Sequence, residues 1–199
     1  MIFGLIRERT NPPDHRVVLS PTTCPKVLSK FPEAQIWVEP SPIRVFRDDE
    51  YREAGLLVHH EMSGCDVLLG VKEVPIQSLI PEKKYFFFSQ TIKKQPYNRE
   101  LLQAVLANDI ERFDHEVLTN QKGQRLVAFG RYAGIVGAYN GIRAYGLKSG
   151  DFHIPKAETQ VDQQALIQIL RQVELAPIKI VLTGRGRVGS GAREMLDGM

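Results

Sequence analysis

CDVLLGV, residues 65–71, carries one charge, at Asp66, in an otherwise apolar run. Its side chains do not alternate between polar and apolar, so a strand here would be buried on both faces, the pattern of a parallel sheet covered on two sides. Similar segments lie on either side. IFGLIRE (2–8) and AQIWVE (34–39) precede it, KKYFFFS (83–89) follows, and IERFDHE (110–116) and RLVAFG (125–130) are shorter strand candidates. Helical stretches separate them. SPTTCPKVLSKF (20–31) offers Ser20 as N-cap and Pro21 as the first helical residue. RDDEYREAG (47–55) closes on Gly55, and NRELLQAVLAND (98–109) is a third helix. NPPDHR (11–16) is barred from helix by its prolines, and QKG (121–123) reads as a turn. Strands alternating with helices predict an α/β fold: a doubly wound, mostly parallel sheet, flavodoxin-like or Rossmann-like, over residues 1–130.

The chain has 199 residues, enough for one full domain and the start of another. A net charge of +3 from dispersed basic residues argues against a nucleic-acid partner. No signal-type apolar segment opens the chain and no apolar run is long enough to span a bilayer, so a cytoplasmic protein without a membrane partner is expected. Cys24 and Cys65 form no metal-type spacing and read as reduced thiols. No histidine pair sits at i, i+4, and no metal is expected. No serine or cysteine has an obvious base partner, which leaves a hydrolase reading unsupported.

Beyond residue 130 the pattern changes. RYAGIVGAYNGIRAYGLK (131–148) reads as a helix with a small-residue face that lets another backbone come close. SGDFHIPKAETQ (149–160) looks like a linker and VDQQALIQILRQVE (161–174) an amphipathic helix, so 131–177 is read as an interdomain segment. IKIVLTG (178–184) then reads as the first strand of a new domain, 178–199, which feeds Gly184-Arg185-Gly186-Arg187-Val188-Gly189. That is the G-x-G-x-x-G spacing of a dinucleotide-binding turn, between a strand and a helix starting near Val188. The first glycine allows the tight turn, the second the approach of a pyrophosphate, the third close helix–strand packing. The acid that binds ribose should follow about 20 residues on. The chain reaches Met199 first, so the second domain is expected to be truncated and its crevice incomplete.

Open parallel sheets bind ligands beyond the carboxyl ends of their strands. Arg16 follows the first strand, Lys72 the third and Gln90 the fourth, and one crevice would collect all three. Arg16 could fork onto a carboxylate, or form an ion pair with Asp14 or Glu8. Lys72 could transfer protons, its charged form disfavoured by partial burial, or be a solvated loop lysine. Glu116 and Arg125 flank the turn at 119–124, spaced for a cross-strand pair, and His115 would face the other side of the strand from Glu116.

RVVLSP (16–21), LLGVKEVP (68–75), FFFSQTIKKQPYN (86–98), LVAFGRYAGIVGAYNGIRAYG (126–146) and IVLTGRGRVGSGA (180–192), in this order, resemble the saccharopine dehydrogenase (lysine-forming) and alanine dehydrogenase family. GVKEVP and AFGRYAG favour the saccharopine branch. The resemblance implies an NAD-dependent oxidoreductase acting on an amino acid or its keto-acid partner. It further implies a first segment that forms most of a catalytic domain, with a Rossmann domain inserted after it and substrate in the cleft between them. By the same resemblance Arg16 binds a substrate carboxylate and Lys72 is the catalytic lysine handling protons around an imine. Glu73 and Glu116 tune that lysine, Arg125 is a further substrate-site arginine, and Gly184, Gly186 and Gly189 bind the cofactor. The family carries histidine where this chain has Gln90, and glutamine hydrogen-bonds without titrating. Members are also about twice as long. The expectation is the amino-terminal half of an amino-acid dehydrogenase, inactive as this chain. The alternative is a non-catalytic homologue that binds a small carboxylate or a partner protein. The small-residue helix and the orphan strand at 178–183 lead us to expect a homo-oligomer.

Overall fold

The run at 65–71 becomes a central strand, and its neighbours explain its composition. In the computed structural model, which describes residues 1–199, the chain forms two compact units, Met1–Val127 and Ala128–Met199. The first holds a sheet of six strands: β1 (Ile2–Leu5), β2 (Gln35–Val38), β3 (Leu57–Val58), β4 (Val67–Lys72), β5 (Lys84–Phe88) and β6 (Glu111–Asp114). Every pairing is parallel and the order is β3-β2-β1-β4-β5-β6. This is the doubly wound α/β order, in which the chain builds outward from β1 on one side, then returns to build outward on the other.

Both faces of the central strands are covered. Leu68 packs with Tyr85 and Phe87 against Leu101 and Val105 of α3 (Arg99–Ala107). Leu69 turns the other way, toward Leu5, Ile36 and Val38, which lie with Cys24 of α1 (Cys24–Lys30) and Tyr51 of α2 (Asp48–Glu53). Cys24 and Cys65 are free and buried, and burial pushes both thiols up to about 11.

Two local readings are corrected, and one strand was not read. The helix after Ser20 begins at Cys24, with Pro25 rather than Pro21 in its first turn. Ser20 caps a preceding turn, its carbonyl accepting from Thr23 N at 3.0 Å and Cys24 N at 3.1 Å. Pro25 has no N–H to offer an earlier carbonyl, so it suits a helix start. RLVAFG is not a strand: Arg125 makes a single bridge to Thr119. The Asn120 side chain accepts from Lys122 N at 2.9 Å and Gln124 N at 3.0 Å, closing a tight loop instead of a ladder. β3 escaped notice because two residues carry no readable period.

In the second unit α4 (Gly130–Ser149), α5 (Gln163–Arg171) and α6 (Arg187–Asp197) share a core of Ile135, Tyr139, Ile142, Leu166, Leu170 and Met195. The stretch read as a linker contributes Ile154 and Ala157 to that core, and Tyr139 donates from its hydroxyl to the Pro155 carbonyl at 2.9 Å. Ile178–Leu182 forms no ladder, because no other strand exists in this unit to pair with it. The small face of α4 does admit another backbone. A Cβ on Gly134 would lie 2.0 Å from the Val188 carbonyl oxygen of α6.

Gly134→Ala must therefore separate α4 from α6, a strain of about 1–3 kcal/mol. Amide hydrogen exchange should quicken across 130–149 and 187–197 and stay unchanged in the sheet of the first unit. Equal protection in mutant and wild type would contradict the close crossing.

Candidate functional site

At the switch of winding direction, between the carboxyl ends of β1 and β4, loops leave a doubly wound sheet in opposite directions and open a crevice. The β1–β4 ladder reaches Leu5↔Leu69, and Ile6 N still donates to the Leu69 carbonyl at 3.1 Å. Beyond it the acceptor for β4 is a side chain. Glu8, 8% exposed, accepts from Val71 N at 2.7 Å and Lys72 N at 2.9 Å. Burial raises its carboxyl pKa, the two N–H groups opposing that only in part.

Glu8 is also near enough to Asp14 and Arg16 for their charges to act on it. Arg16 forks onto Asp14, Nε to Oδ1 at 2.9 Å and a terminal nitrogen to Oδ2 at 2.5 Å. The guanidinium's hydrogen bonds hold the Asp14 carboxyl below its ordinary range, and the Lys72 charge adds to this. Asp14 in turn raises the pKa of Arg16. Glu8 and Asp14 thus receive both segments, Asp14 the Arg16 guanidinium and Glu8 the Lys72 backbone amide, and the Lys72 charge acts on Asp14. The Lys72 ammonium forms no ion pair, and Glu73 lines the same shallow crevice beside Glu8 and Lys72.

On the other side of β4 the register slips. Leu69 pairs with Phe86 but Lys72 with Phe88, three steps against two, which marks a bulge at Gly70–Val71. The Gly70 carbonyl accepts from His115 Nε2 at 3.0 Å. Gln90 lies two residues past Phe88, half-buried and left-handed at φ 55°, where it opens a 3-10 turn over Thr91–Lys93. Below it, buried Ser89 donates to Asp114 Oδ2 at 2.5 Å and also accepts from Arg112. Glu116 holds Arg125 at 3.4 Å and Lys93 at 3.5 Å through Oε1, while its Oε2 is buried without a hydrogen bond. The cross-strand reading of Glu116 and Arg125 is replaced by a pair spanning a 3-10 turn, His115–Val117, and the loop at 119–125.

The glycine turn lies in the second unit. Gly184 has φ 87°, Gly186 is the N-cap of α6, and a Cβ on Gly189 would meet the Gly184 carbonyl oxygen at 2.3 Å. Nothing lies within 4 Å of a Cβ built on Gly186, so its outer side is open to a ligand. No group of three or more His, Cys, Asp or Glu side chains is placed to hold a metal ion. No helix is long and apolar enough to cross a membrane.

Residues 4–136 match the family described as alanine dehydrogenase/PNT, N-terminal domain. The chain belongs to that family. Among relatives of the alanine dehydrogenase/PNT domain, the mitochondrial alpha-aminoadipic semialdehyde synthase of Bos taurus is 30% identical over 98% of this chain and 23% of its own length. The saccharopine dehydrogenase (NAD+, L-lysine-forming) of Candida glabrata is 29% identical over 96% of this chain and 55% of its own length. The chain thus spans about a quarter to about half of the relatives it matches. Two solved structures share the fold at 20% identity. An L-alanine dehydrogenase covers all of this chain and 52% of its own at a TM-score of 0.67, and the transhydrogenase of Sinorhizobium meliloti covers 73% and 44% at 0.59.

Set in this family's fold, the crevice includes groups that the sequence reading passed over or left optional. Glu8 entered only as a possible partner of Arg16, because a glutamate closing an apolar strand run has no pattern of its own. Its role in capping β4 needs the chain neighbour 63 residues away. Ser89 and Asp114 were unremarkable polar residues until parallel strands β5 and β6 set their ends side by side.

Glu8→Gln keeps an acceptor and removes the charge. A raised folded pKa means that ionising Glu8 costs stability as pH rises from the ordinary 4.5 through the raised value. Urea midpoints of wild type should therefore fall relative to Glu8→Gln as pH climbs through that window. A constant difference across it would show that Glu8 titrates normally.

Proposed function

We propose that this chain is the amino-terminal part of an amino-acid dehydrogenase that works with NAD on saccharopine or alanine, its first unit holding the substrate. The acidic pair carries this reading: Asp14 holds the Arg16 guanidinium and Glu8 the Lys72 backbone amide, which brings an anion anchor and an unpaired amine to the carboxyl ends of β1 and β4. Arg16 would exchange its fork on Asp14 for a substrate carboxylate, keeping two parallel hydrogen bonds. Lys72, with no ion pair to break, would take and return the proton at the substrate nitrogen. Glu73 and Glu116 would bias that proton by their charge, and Arg125 would anchor a second carboxylate. Gln90 would hydrogen-bond substrate without titrating.

NAD supplies hydride acceptance from the amine-bearing carbon. Gly184, Gly186 and Gly189 would hold its pyrophosphate, since Gly186 is the N-cap of α6 and its outer side is open. The ladder that would complete a nucleotide crevice is not formed by Ile178–Leu182, which supports the expectation of an inactive isolated chain. The amide at Gln90 favours a second reading, a non-catalytic carboxylate-binding module.

Calorimetry with saccharopine, lysine, 2-oxoglutarate, alanine and pyruvate should find at least one ligand. Arg16→Ala should weaken it by about 1.5–3 kcal/mol, the worth of hydrogen bonds between charged groups. Unchanged affinity would remove Arg16 from the site. An absorbance assay should detect no NADH formed by this chain from saccharopine or alanine with NAD. Measurable turnover would overturn the inactive reading.

A further inference from the structure

His115 is the one buried imidazole of the chain, bonded to β4 two residues before Lys72, and the proposed function gives it no task. It is 7% exposed and lies against the rings of Phe88 and Phe86, with centroids 5.1 and 6.2 Å away. A carbonyl can only accept, so the 3.0 Å bond to Gly70 requires the hydrogen on Nε2. Nδ1 is buried with no partner, so the ring's entire polar contact is with that one carbonyl.

The position of this carbonyl gives the bond its consequence. Gly70 sits in the bulge where β4 gains a residue on β5, two residues before Lys72. A bulge locally breaks the ladder and bends the strand, so the aim of the next side chain depends on what holds the bulge. On the β1 side Glu8 takes the amides of Val71 and Lys72. On the far side the hold is His115, reaching back from the end of β6. The turn that carries it is secured by Asp114, whose carboxylate accepts from the next residue's amide, Glu116 N, at 2.8 Å and from the Ser89 hydroxyl. The residue next to His115 is Glu116, which pairs with Lys93 and Arg125.

We propose that His115 is a positioning residue: its Nε2–H···O bond to Gly70 holds the β4 bulge, aims the Lys72 amine, and sets that amine relative to the Glu116–Arg125 pair. The inference rests on the reading of Lys72 as the working amine of the crevice. It does not depend on which substrate is used.

The test follows the amine directly. Acylation of Lys72 in the full chain by an N-hydroxysuccinimide ester is timed across pH by peptide mass spectrometry, with exposed Lys26 and Lys148 as internal references. His115→Leu removes the donor and should change the relative rate at Lys72 by roughly three- to tenfold at a given pH, the span of one lost hydrogen bond. His115→Gln can place an amide N–H near the position of Nε2 and should restore the wild-type profile. Should the leucine variant fail to fold, His115→Asn takes its place, since its shorter amide leaves the carbonyl unbonded. A wild-type profile in the variant without the bond, or Gln behaving like that variant, overturns the proposal. The assay uses no substrate. A shifted Lys72 profile with no carboxylate binding sinks the dehydrogenase reading alone, and the reverse pair of results sinks this one alone.

Discussion

The Glu8 carboxylate, accepting the amides of Val71 and Lys72, is the contact from which the rest of the crevice follows. β1 stops pairing with β4 where their loops part, and a central strand that outruns its neighbour leaves N–H groups without partners inside the protein. Buried amides left so cost about 1–3 kcal/mol each. Glu8 supplies the missing acceptors at the cost of burying a charge, and its raised pKa records that cost. The same charge is within reach of Arg16, and Lys72 acts on Asp14. A solution to a backbone problem thereby becomes the electrostatic frame of the candidate site.

A second irregularity is built on the first. The bulge at Gly70–Val71 is bonded on both its sides, on the far side from the end of β6 by His115. Ser89 and Asp114 join the loops after β5 and β6 in turn. Glu8 and His115 thus bond backbone groups of β4 from either side, and Ser89 and Asp114 tie neighbouring strand ends by their side chains. Polar side chains at these strand ends serve the fold and frame the candidate site together.

The second unit follows a different rule. Beside the shared core, α4 and α6 cross closely where a side chain is absent: Gly134 lets the α6 backbone press against α4. Arg131 clamps the crossing by forking onto Glu194 at 2.5 and 2.7 Å. The glycine turn needs its glycines for like reasons, a left-handed φ at Gly184 and bare contact at Gly189. The helix after the turn packs on α4, but the strand before it finds no partner, and a strand is stable only against another strand.

Periodicity made most of the sheet legible. CDVLLGV, IFGLIRE, AQIWVE and KKYFFFS are apolar runs that only a doubly covered parallel sheet explains, and the alternation with helices implies the winding. Two-residue β3 and the false strand at 125–130 were beyond that signal. A pair of residues has no period, and Asn120 closes its loop by side-chain bonds that no pattern anticipates. At the site, the order of strands and loops was enough to nominate Arg16, Lys72 and Gln90.

Chain pattern by itself determined the α/β winding, the dinucleotide-type turn and the family likeness, because these depend on residue type and spacing within a short window. Tertiary structure alone decided which carboxylates attend Arg16 and Lys72, why Glu8 and His115 matter, and that Ile178–Leu182 stays unpaired. Each of those is a contact between segments tens of residues apart. The energy of such a contact depends on distance and burial, and only the folded chain sets those two quantities.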